Sequence, residues 1–535
     1  QPPPNMGDAP CPTGSSTTTV SLGVGEVAAL TVPGSLDCVS LATAGGGAGS
    51  FLVVAANADT KPDVMGPYQI NFASAAAQGD FLAANRAQRV LSAQRASDTR
   101  SMAEGRFRAM ERRALHLVAG QRVGARSPLL RTSGIRVNPA IIPSVGDTLT
   151  FNVPDATANN ACTTFTAQKA VVKTVGTHGI IVQDVRAPAG GFTTTDFQSI
   201  QTEFDNIIYP TDTVHFGAAP DIDSNGHVFL FFTPSVNAAT KKGSNSILEG
   251  FFFAGDLFPK TGFNSCAESN ETELFYLLVP DPTGTFSDDR STSDVRQDIR
   301  GTIAHEFQHM INAGVRFIDE DAPDDATWLN EGLSHFAEEI VGRAEDGYSD
   351  TQELTIDDVA DFPALDNFNA FYGQNLARLR EWMSNPGKLG ATSAHADTSL
   401  AVRGAAWSLL RWSADHYATT TVAAFTRALV AGPDTGVANL VARAGVPFDS
   451  ITAGWLPALF TDDAGIAGLP ARYTFLSWNM RSVEAAINNG VFPLTAPTLS
   501  QTQPTTGTVA SAGANYYTVA VPSSGSVTLG ELDTN

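Results

Sequence analysis

The chain has 535 residues, 43% of them hydrophobic and 16% charged, and its formal net charge is −22. A chain of this length divides into several folding units, and its composition is that of a globular protein rather than a disordered one. The acidity argues against nucleic acids and anionic membranes as partners, and the lack of a long apolar stretch predicts no transmembrane helix.

The first residues and the cysteines favour a processed, secreted protein. The numbering begins Gln-Pro-Pro-Pro without an initiator Met, so we expect a mature extracellular chain from which a signal peptide has been removed. Four cysteines without a close CxxC pair disfavour a cysteine–zinc site. Two disulfides, Cys11 with Cys38 and Cys162 with Cys266, are expected, and four buried thiols are the alternative.

The first 136 residues divide into two predicted units. Residues 1–75 carry short apolar runs between Gly, Ser and Pro clusters, which predicts an N-terminal β domain. Residues 76–136 are rich in Ala and Arg and predict a basic helical arm or linker. Because 12 arginines but only three acidic residues lie between 81 and 136, we expect the arm to pack on the acidic body, where it could also cover an active cleft.

The rest of the chain contains a large mixed unit, residues 137–488, and a C-terminal β segment, residues 489–535. In the mixed unit GDTLTFNV, KAVVKTVG and GIIVQDV predict strands, and NGHVFLFFTPSV is typical of a buried strand. A helix between them carries apolar residues at helical spacing, namely Phe197, Ile200, Phe204 and Ile207. Beyond about residue 290 the pattern is chiefly helical. The C-terminal segment is either a truncated module or a partner of the N-terminal β region.

The segment STSDVRQDIRGTIAHEFQHMINAG predicts a helix that carries a metal-binding motif. Its apolar stripe consists of Val295, Ile299, Ile303, Phe307 and Met310 or Ile311. His305 and His309 are four residues apart, so both imidazoles project from one face and can hold one zinc ion. Glu306 lies beside them and can take a proton from a zinc-activated water before giving it to the leaving amine.

A third protein ligand must come from another segment of the chain. Asn312 and Val315 stand where the pattern HExxHxxGxxH needs Gly and His, so that ligand set is excluded. The stretch DDATWLNEGLSHFAEEIVGRA predicts a second amphipathic helix, which Asp324 or Asp325 can cap.

On one face of this second helix Glu331, His335 and Glu338 fall at positions i, i+4 and i+7. Glu331 is the expected zinc ligand, and His335 is the alternative. Glu338 is then a candidate to accept a hydrogen bond from an imidazole N–H and so fix the orientation of a ligand. A solvated helix face for Glu338 and an ordinary interior histidine for His335 are the alternative interpretations.

These motifs carry a family resemblance. HEFQH followed by WLNEGLSHFAEE resembles the gluzincin arrangement. Around it, EFDNIIYPTDTVHFG, DIDSNGHVFLFFTPSVN and GFFFAGDLFP resemble the hyicolysin family of secreted bacterial neutral metallopeptidases, over roughly residues 140–480. The resemblance implies zinc ligands His305, His309 and Glu331 and a catalytic Glu306. It implies nothing about the terminal regions or the arm.

The residue that stabilises the oxyanion is not evident from the sequence, although gluzincins have a Tyr or His for this role downstream of the third ligand. The candidates are Tyr348, Tyr372, His395, Arg403, His416 and Tyr417. Arg403 begins the helical pattern RGAAWSLLRWSADHY, where related sequences often have Tyr.

A candidate calcium loop lies in the run DIDSNG. Asp221, Asp223 and Asn225 have the 1, 3, 5 spacing of oxygen ligands, with Gly226 at the turn. Phe232 stands at position 12, so an EF-hand is excluded, and a turn rich in Asp and Asn is the alternative.

Together these patterns predict an α+β multidomain protein, whose gluzincin-like metallopeptidase domain has a mixed sheet and zinc-binding helices and is flanked by small β domains. We expect a secreted zinc-dependent endopeptidase that hydrolyses proteins or peptides with a Glu general base. An aminopeptidase is one alternative, although the chain lacks a GxMEN-type segment before the zinc helix. A non-catalytic surface or binding protein with a vestigial peptidase domain is the other, and the intact Glu306 argues against it.

Overall fold

The computed structural model describes residues 17–30, 38–74, 142–155, 162–244, 247–262, 265–320, 322–361, 363–500, 503–522 and 527–531. The predicted basic arm, residues 76–136, lies outside the described residues, and so does Cys11. The pairing of Cys11 with Cys38 therefore stays a prediction.

Strands lie near both ends of the chain and in its first half. In chain order they are β1 (Thr17–Leu22), β2 (Cys38–Thr43), β3 (Gly49–Asn57), β4 (Met65–Ser74), β5 (Thr148–Pro154), β6 (Phe165–Val175), β7 (Gly179–Asp184), β8 (Val228–Phe232), β9 (Gly250–Phe252), β10 (Leu274–Leu277), β11 (Thr505–Ala510), β12 (Gly513–Val521) and β13 (Val527–Glu531).

Helices dominate between residues 292 and 487, as the sequence predicts. The helices are α1 (Thr194–Glu203), α2 (Tyr209–Phe216), α3 (Pro234–Ala239), α4 (Thr292–Ala313), α5 (Thr327–Asp346), α6 (Ile356–Val359), α7 (Ala364–Asn367), α8 (Gly373–Met383), α9 (Leu400–Tyr417), α10 (Val422–Val430), α11 (Gly436–Ala444), α12 (Phe448–Thr461) and α13 (Met480–Ile487). None of the helices in the described ranges is long and apolar enough to cross a membrane.

The two terminal β regions build one module rather than two separate flanking domains. The five-stranded sheet has the order β1-β2-β13-β4-β11, and β12 pairs with β3. Strands near the C-terminus thus bury the apolar faces of strands near the N-terminus, because neither set is large enough to cover its own face. The shared core contains Val20, Val39, Leu41, Phe72, Leu499, Val519 and Val521. Of the two possibilities for the C-terminal segment, the structure has the pairing with the N-terminal region.

A six-stranded mixed sheet lies in the central unit, with the order β5-β6-β7-β8-β10-β9. Strands β7, β8 and β10 are parallel, and the outer pairs are antiparallel. Every residue of β8 is buried, as its continuous apolar run predicts, because a parallel strand in mid-sheet is covered on both faces. A disulfide joins Cys162 to Cys266 and so links the segment before β6 to the segment before β10.

Helices α1 and α2 form one continuous helical segment with a π-helical turn, Phe204–Ile208, between them. The predicted buried stripe is correct for Phe197, Ile200 and Phe204, which are 0–2% exposed. At the last position Ile207 is half-buried and packs against the core, while the neighbouring Ile208 is fully buried. A π-helical turn contains an extra residue, so the next residue of the inward face moves one position along the chain.

Candidate metal centre

Helix α4 carries the HEFQH motif across the core of the central unit. Its first turn is capped by Ser291, whose Oγ accepts a hydrogen bond from the backbone N–H of Asp294. The predicted apolar stripe is buried throughout, which fixes the rotation of the helix about its axis. This rotation directs His305 and His309, each 4% exposed, toward helix α5.

Helix α5 lies beside α4, but the predicted cap of its first turn is wrong. Its N-cap is Ala326, without a side-chain hydrogen bond. The carboxylate of Asp325 instead accepts hydrogen bonds from the backbone N–H groups of Ala326 and Gly436, and it lies 3.5 Å from Arg316 Nη1. Such charged and backbone partners stabilise a buried carboxylate, because one hydrogen bond at a helix end would not offset the loss of its hydration.

Three potential ligands converge between the two helices. His305 Nε2 lies 3.2 Å from His309 Nε2 and 3.7 Å from Glu331 Oε2, and His309 Nε2 lies 3.9 Å from Glu331 Oε1. Atoms that share one tetrahedral zinc ion at about 2.0–2.1 Å are about 3.3 Å apart, so these separations suit a small ion after minor adjustment. The three side chains therefore form a group that could hold a metal.

Each histidine of this group has a hydrogen-bond acceptor on its outer nitrogen. Glu338 Oε1 lies 2.8 Å from His305 Nδ1, which donates to the carboxylate. Asn330 Oδ1 lies 3.1 Å from His309 Nδ1, and Asn312 Nδ2 donates to the same oxygen at 2.7 Å. Such partners orient the ring and leave Nε2 for a metal. The role of Asn330 was missed in the sequence analysis, although its place directly before Glu331 was a usable signal.

His335 lies on the other side of Glu338 and beside a buried cation. Its ring centroid is 4.7 Å from that of His305, and Arg378 Nη1 lies 2.9 Å from its Nδ1. Burial lowers the pKa of His335 to about 4, and the charge of Arg378 acts in the same direction. His305, His335 and Glu338 also form a group that could hold a metal, but the guanidinium next to His335 opposes a second cation there.

The charge around His305 is negative. Burial lowers the pKa of His305, but hydrogen bonds to Glu331 and Glu338 and the charge of Glu306 outweigh it and raise the pKa to about 9. Burial also acts to raise the pKa of Glu338, yet the neighbouring histidines bring it well below its usual range. A buried cluster of carboxylates around imidazoles is stabilised by an added positive charge.

Glu306 points toward the edge of the mixed sheet. The side chain is 2% exposed, and its Oε2 accepts a hydrogen bond of 2.8 Å from the backbone N–H of Phe252 in β9. Strand β9 is the edge strand on this side of the sheet. The backbone of β9 therefore orients the carboxylate that follows His305 on helix α4.

Arg403 is the cation that contacts Glu331. Its Nη1 lies 3.0 Å from Glu331 Oε2, and its side chain is fully buried on helix α9. Nε donates to the carbonyl of Ala396 at 2.6 Å and Nη2 to that of Asp397 at 3.3 Å. Two backbone carbonyls orient the guanidinium, so its ion pair restrains the position of the Glu331 carboxylate.

The other candidates for the oxyanion role differ in position. The turn Ala394–Asp397, which binds Arg403, also carries His395, whose side chain is exposed. The remaining four make contacts elsewhere: Tyr348 donates to Asp358 O, Tyr372 donates to Asp346, His416 bonds Thr474 O, and Tyr417 packs on Trp412. Arg403 is thus the candidate with a direct contact to Glu331.

Comparison with known proteins adds a partial similarity. No family model matches the chain. A segment of 144 residues, 27% of this chain, is 29% identical to the neutral metalloprotease ShpI of Staphylococcus hyicus. The similarity supports a relationship to the metallopeptidases. The aligned segment spans 30% of that protein, well under two thirds of its length.

A second carboxylate group lies outside the metal centre. Asp221 and Asp223 of the predicted calcium loop come together with Glu273, which precedes β10 and was not considered in the sequence analysis. The side-chain amide of Asn225 forms hydrogen bonds within the loop: Nδ2 donates to Asp223, and Oδ1 accepts from the backbone N–H of His227. The signal for Glu273 was its position just before a buried strand that pairs with β8.

Proposed function

We propose that this chain is a secreted zinc-dependent endopeptidase of the gluzincin type, related to the hyicolysin family. The observation that carries the proposal is the convergence of His305, His309 and Glu331 beside Glu306. Two imidazoles and one carboxylate are the protein ligands of many catalytic zinc sites, which leave one position for water or substrate. The disulfide between Cys162 and Cys266 fits an extracellular location.

His305, His309 and Glu331 would hold the zinc ion through Nε2, Nε2 and a carboxylate oxygen. When bound, zinc supplies Lewis-acid chemistry, which lowers the pKa of water and polarises the carbonyl of the substrate. Glu338 and Asn330 orient the two imidazoles through their Nδ1 atoms. Asn312 donates to Asn330 and thereby keeps the amide oxygen of Asn330 directed at His309.

Glu306 is the proposed general base. Its carboxylate takes the proton of the attacking water and then protonates the amine of the leaving peptide. The hydrogen bond from Phe252 N–H holds the carboxylate at the edge of the sheet, so little reorientation is needed before proton transfer. Arg403 acts as a positioning residue, because its ion pair fixes Glu331 and adds positive potential beside the place where negative charge develops.

Strand β9 supports endopeptidase activity over aminopeptidase activity. Its residues pair with β10 on one side, and it is the outermost strand of the described sheet on the side of helix α4. An edge strand can pair with an extended peptide through backbone hydrogen bonds, and such pairing can continue on both sides of the cleaved bond. We therefore propose internal peptide bonds of proteins as the substrates.

The proposal is tested by zinc content and by hydrolysis of casein and of a blocked peptide. We expect about one zinc ion per chain, activity on both substrates, and loss of activity with o-phenanthroline. Glu306→Gln should retain zinc and lose at least about 10²-fold in kcat, because the amide cannot carry the proton.

Glu345→Gln, which also changes a carboxylate near these helices, is the matched control and should stay active. A folded but zinc-free and inactive chain would support the binding-protein alternative, and cleavage restricted to free amino termini would support the aminopeptidase. Full activity in Glu306→Gln contradicts the proposed role of this residue.

A further inference from the structure

Three carboxylates meet at the amino ends of two parallel strands, away from the HEFQH helix. Asp221 and Asp223 lie in the loop between α2 and β8, and Glu273 directly precedes β10. One oxygen of each carboxylate lies within 4.8 Å of the others. Strands β8 and β10 are paired in parallel, so their starts are adjacent and bring together residues 50 positions apart in sequence.

The buried carboxylate of Glu273 is independent evidence for a bound cation, because only one of its two oxygens has a hydrogen-bond partner among the described residues. The side chain is 0% exposed, and Oε1 accepts a hydrogen bond of 2.5 Å from the backbone N–H of Ile222. Oε2 is buried and has no hydrogen-bond partner among the described residues. A buried acceptor that lacks a partner costs about 1–3 kcal/mol, and more when it is charged.

The neighbouring charges make this position unfavourable for an anion alone. Burial, together with the charges of Asp223 and Asp221, raises the pKa of Glu273 to about 8, although the hydrogen bond from Ile222 opposes them. Asp223 is itself only 8% exposed and accepts hydrogen bonds from Thr272 and Asn225. The group therefore needs either a shared proton or a cation among its oxygens.

We propose that Asp221, Asp223 and Glu273 bind one calcium ion, with Glu273 Oε2 as the interior ligand. The side chains of this group offer oxygen atoms and no imidazole or thiolate, which favours a hard cation over zinc. Calcium tolerates irregular oxygen sets supplied in part by a loop, whereas magnesium demands near-octahedral geometry. The site is separate from the zinc centre, and the inference does not depend on the proposed peptidase activity.

A bound ion at this place would stabilise the end of the zinc helix. The loop that carries Asp221 also carries Pro220, and a Cβ added at Gly314 would lie 2.9 Å from Pro220 Cδ, so backbone and ring are in close contact. Gly314 directly follows helix α4 and begins the turn Gly314–Asp319. Calcium would tie this loop to the starts of β8 and β10 and so hold Pro220 against Gly314.

The test is calcium binding by the full chain, measured by isothermal titration calorimetry on the zinc-loaded Glu306→Gln protein, which avoids self-cleavage. We expect a site with a Kd in the range of about 10⁻⁴–10⁻³ M, as is common for extracellular modules. In the double variant with Glu306→Gln and Glu273→Gln, one calcium ion fewer should bind per chain, and calcium should no longer raise the Tm. The amide oxygen can still accept from Ile222 N–H, so the variant is expected to fold.

Glu268→Gln removes a charge from the same segment, at an exposed residue outside the group, and should bind calcium as the parent does. Asp221→Asn provides a second variant, since its side-chain oxygen can still accept from Gly226 N–H, and its calcium Kd should rise at least about tenfold. If the Glu306→Gln protein binds no calcium at a calcium concentration of about 10 mM, the proposal is overturned and the carboxylates share a proton instead. The proposal is also overturned if the added Glu273→Gln substitution leaves calcium binding unchanged, or if the Glu306→Gln protein binds magnesium as tightly as calcium.

Discussion

Around Glu331, single side chains decide how charge is distributed in the metal centre. Glu306, Glu331 and Glu338 bring negative charge to His305, and Arg403 compensates part of it through its ion pair with Glu331. The guanidinium is also held by the backbone carbonyls of Ala396 and Asp397. Arg403 is therefore pre-positioned, and its effect on Glu331 needs no movement during a reaction.

Substitutions of Arg403 test whether this side chain positions Glu331. In Arg403→Lys the charge remains, but the side chain loses the fork that reaches both Glu331 and the turn Ala394–Asp397. We expect kcat on a peptide substrate to fall about 10–100-fold, with zinc content and KM little changed. Arg403→Ala should lose more kcat and also stability, because it leaves Glu331 buried without its cation.

A purely structural role for Arg403 would lower Tm and zinc content in proportion to activity. The decisive measurement is therefore kcat and KM for each variant, beside its Tm and its zinc content. Full kcat in folded, zinc-loaded Arg403→Ala contradicts the positioning role.

Among the elements, helices α8 and α9 determine where Arg403 stands. Gly404, the next residue on α9, packs directly on the backbone of α8: a Cβ there would lie 2.2 Å from Leu379 N and 2.4 Å from Arg378 C. Glycine permits this approach because it has no Cβ, and the close packing of the two helices brings Arg403 to Glu331. Arg378, whose backbone lies next to Gly404, also forms a hydrogen bond with His335 on helix α5.

Gly404→Ala tests this contact. The added methyl meets backbone atoms, which cannot rotate away, so the helices must separate at a cost of about 1–3 kcal/mol or more. We expect a lower Tm in thermal unfolding, together with a loss of kcat from the displacement of Arg403. Gly373→Ala is the control, since its nearest neighbour is the Phe368 ring at 3.2 Å, and it should change Tm little. Equal Tm values for the two variants would argue against the close contact.

The two ends of the chain stabilise each other and the helical region. Strand β13 lies between β2 and β4, so the N-terminal strands lose a central neighbour without it. Tyr516 of β12 donates a hydrogen bond of 2.7 Å to Leu456 O in helix α12, which attaches the β module to the helices. The module is thus a single unit whose pieces are separated by more than 400 residues.

A chain that ends after residue 488 tests this unit. Removal of β11, β12 and β13 should unfold residues 17–74, because β3 and β4 lose their partner strands and the remaining pair of β1 and β2 is only marginally stable. Hydrogen exchange by mass spectrometry should show loss of amide protection over residues 17–74. The control chain, ended after residue 531, retains all strands of the described residues and should keep that protection. Unchanged protection in the shorter chain would mean that the N-terminal strands fold alone.

Much of the local structure was predictable because it depends on residues near one another in sequence. The period of apolar residues gave helix α4 and placed His305 and His309 on one face of it, and the continuous run at β8 predicted a buried strand. The exception is the π-helical turn before α2, since the extra residue that buries Ile208 has no clear signal in the apolar period.

The amino-acid pattern alone thus predicted the buried strand β8 and the HEFQH helix, and it made Glu331 the expected third ligand. Only the tertiary structure decided that Asn330 and Arg403 contact His309 and Glu331, that Glu273 joins the aspartates, and that both chain ends share a sheet. The physical reason is the range of the interactions. Helical and strand periodicity acts over a few residues, whereas these contacts arise from packing between distant segments, which a single sequence does not encode as a local pattern.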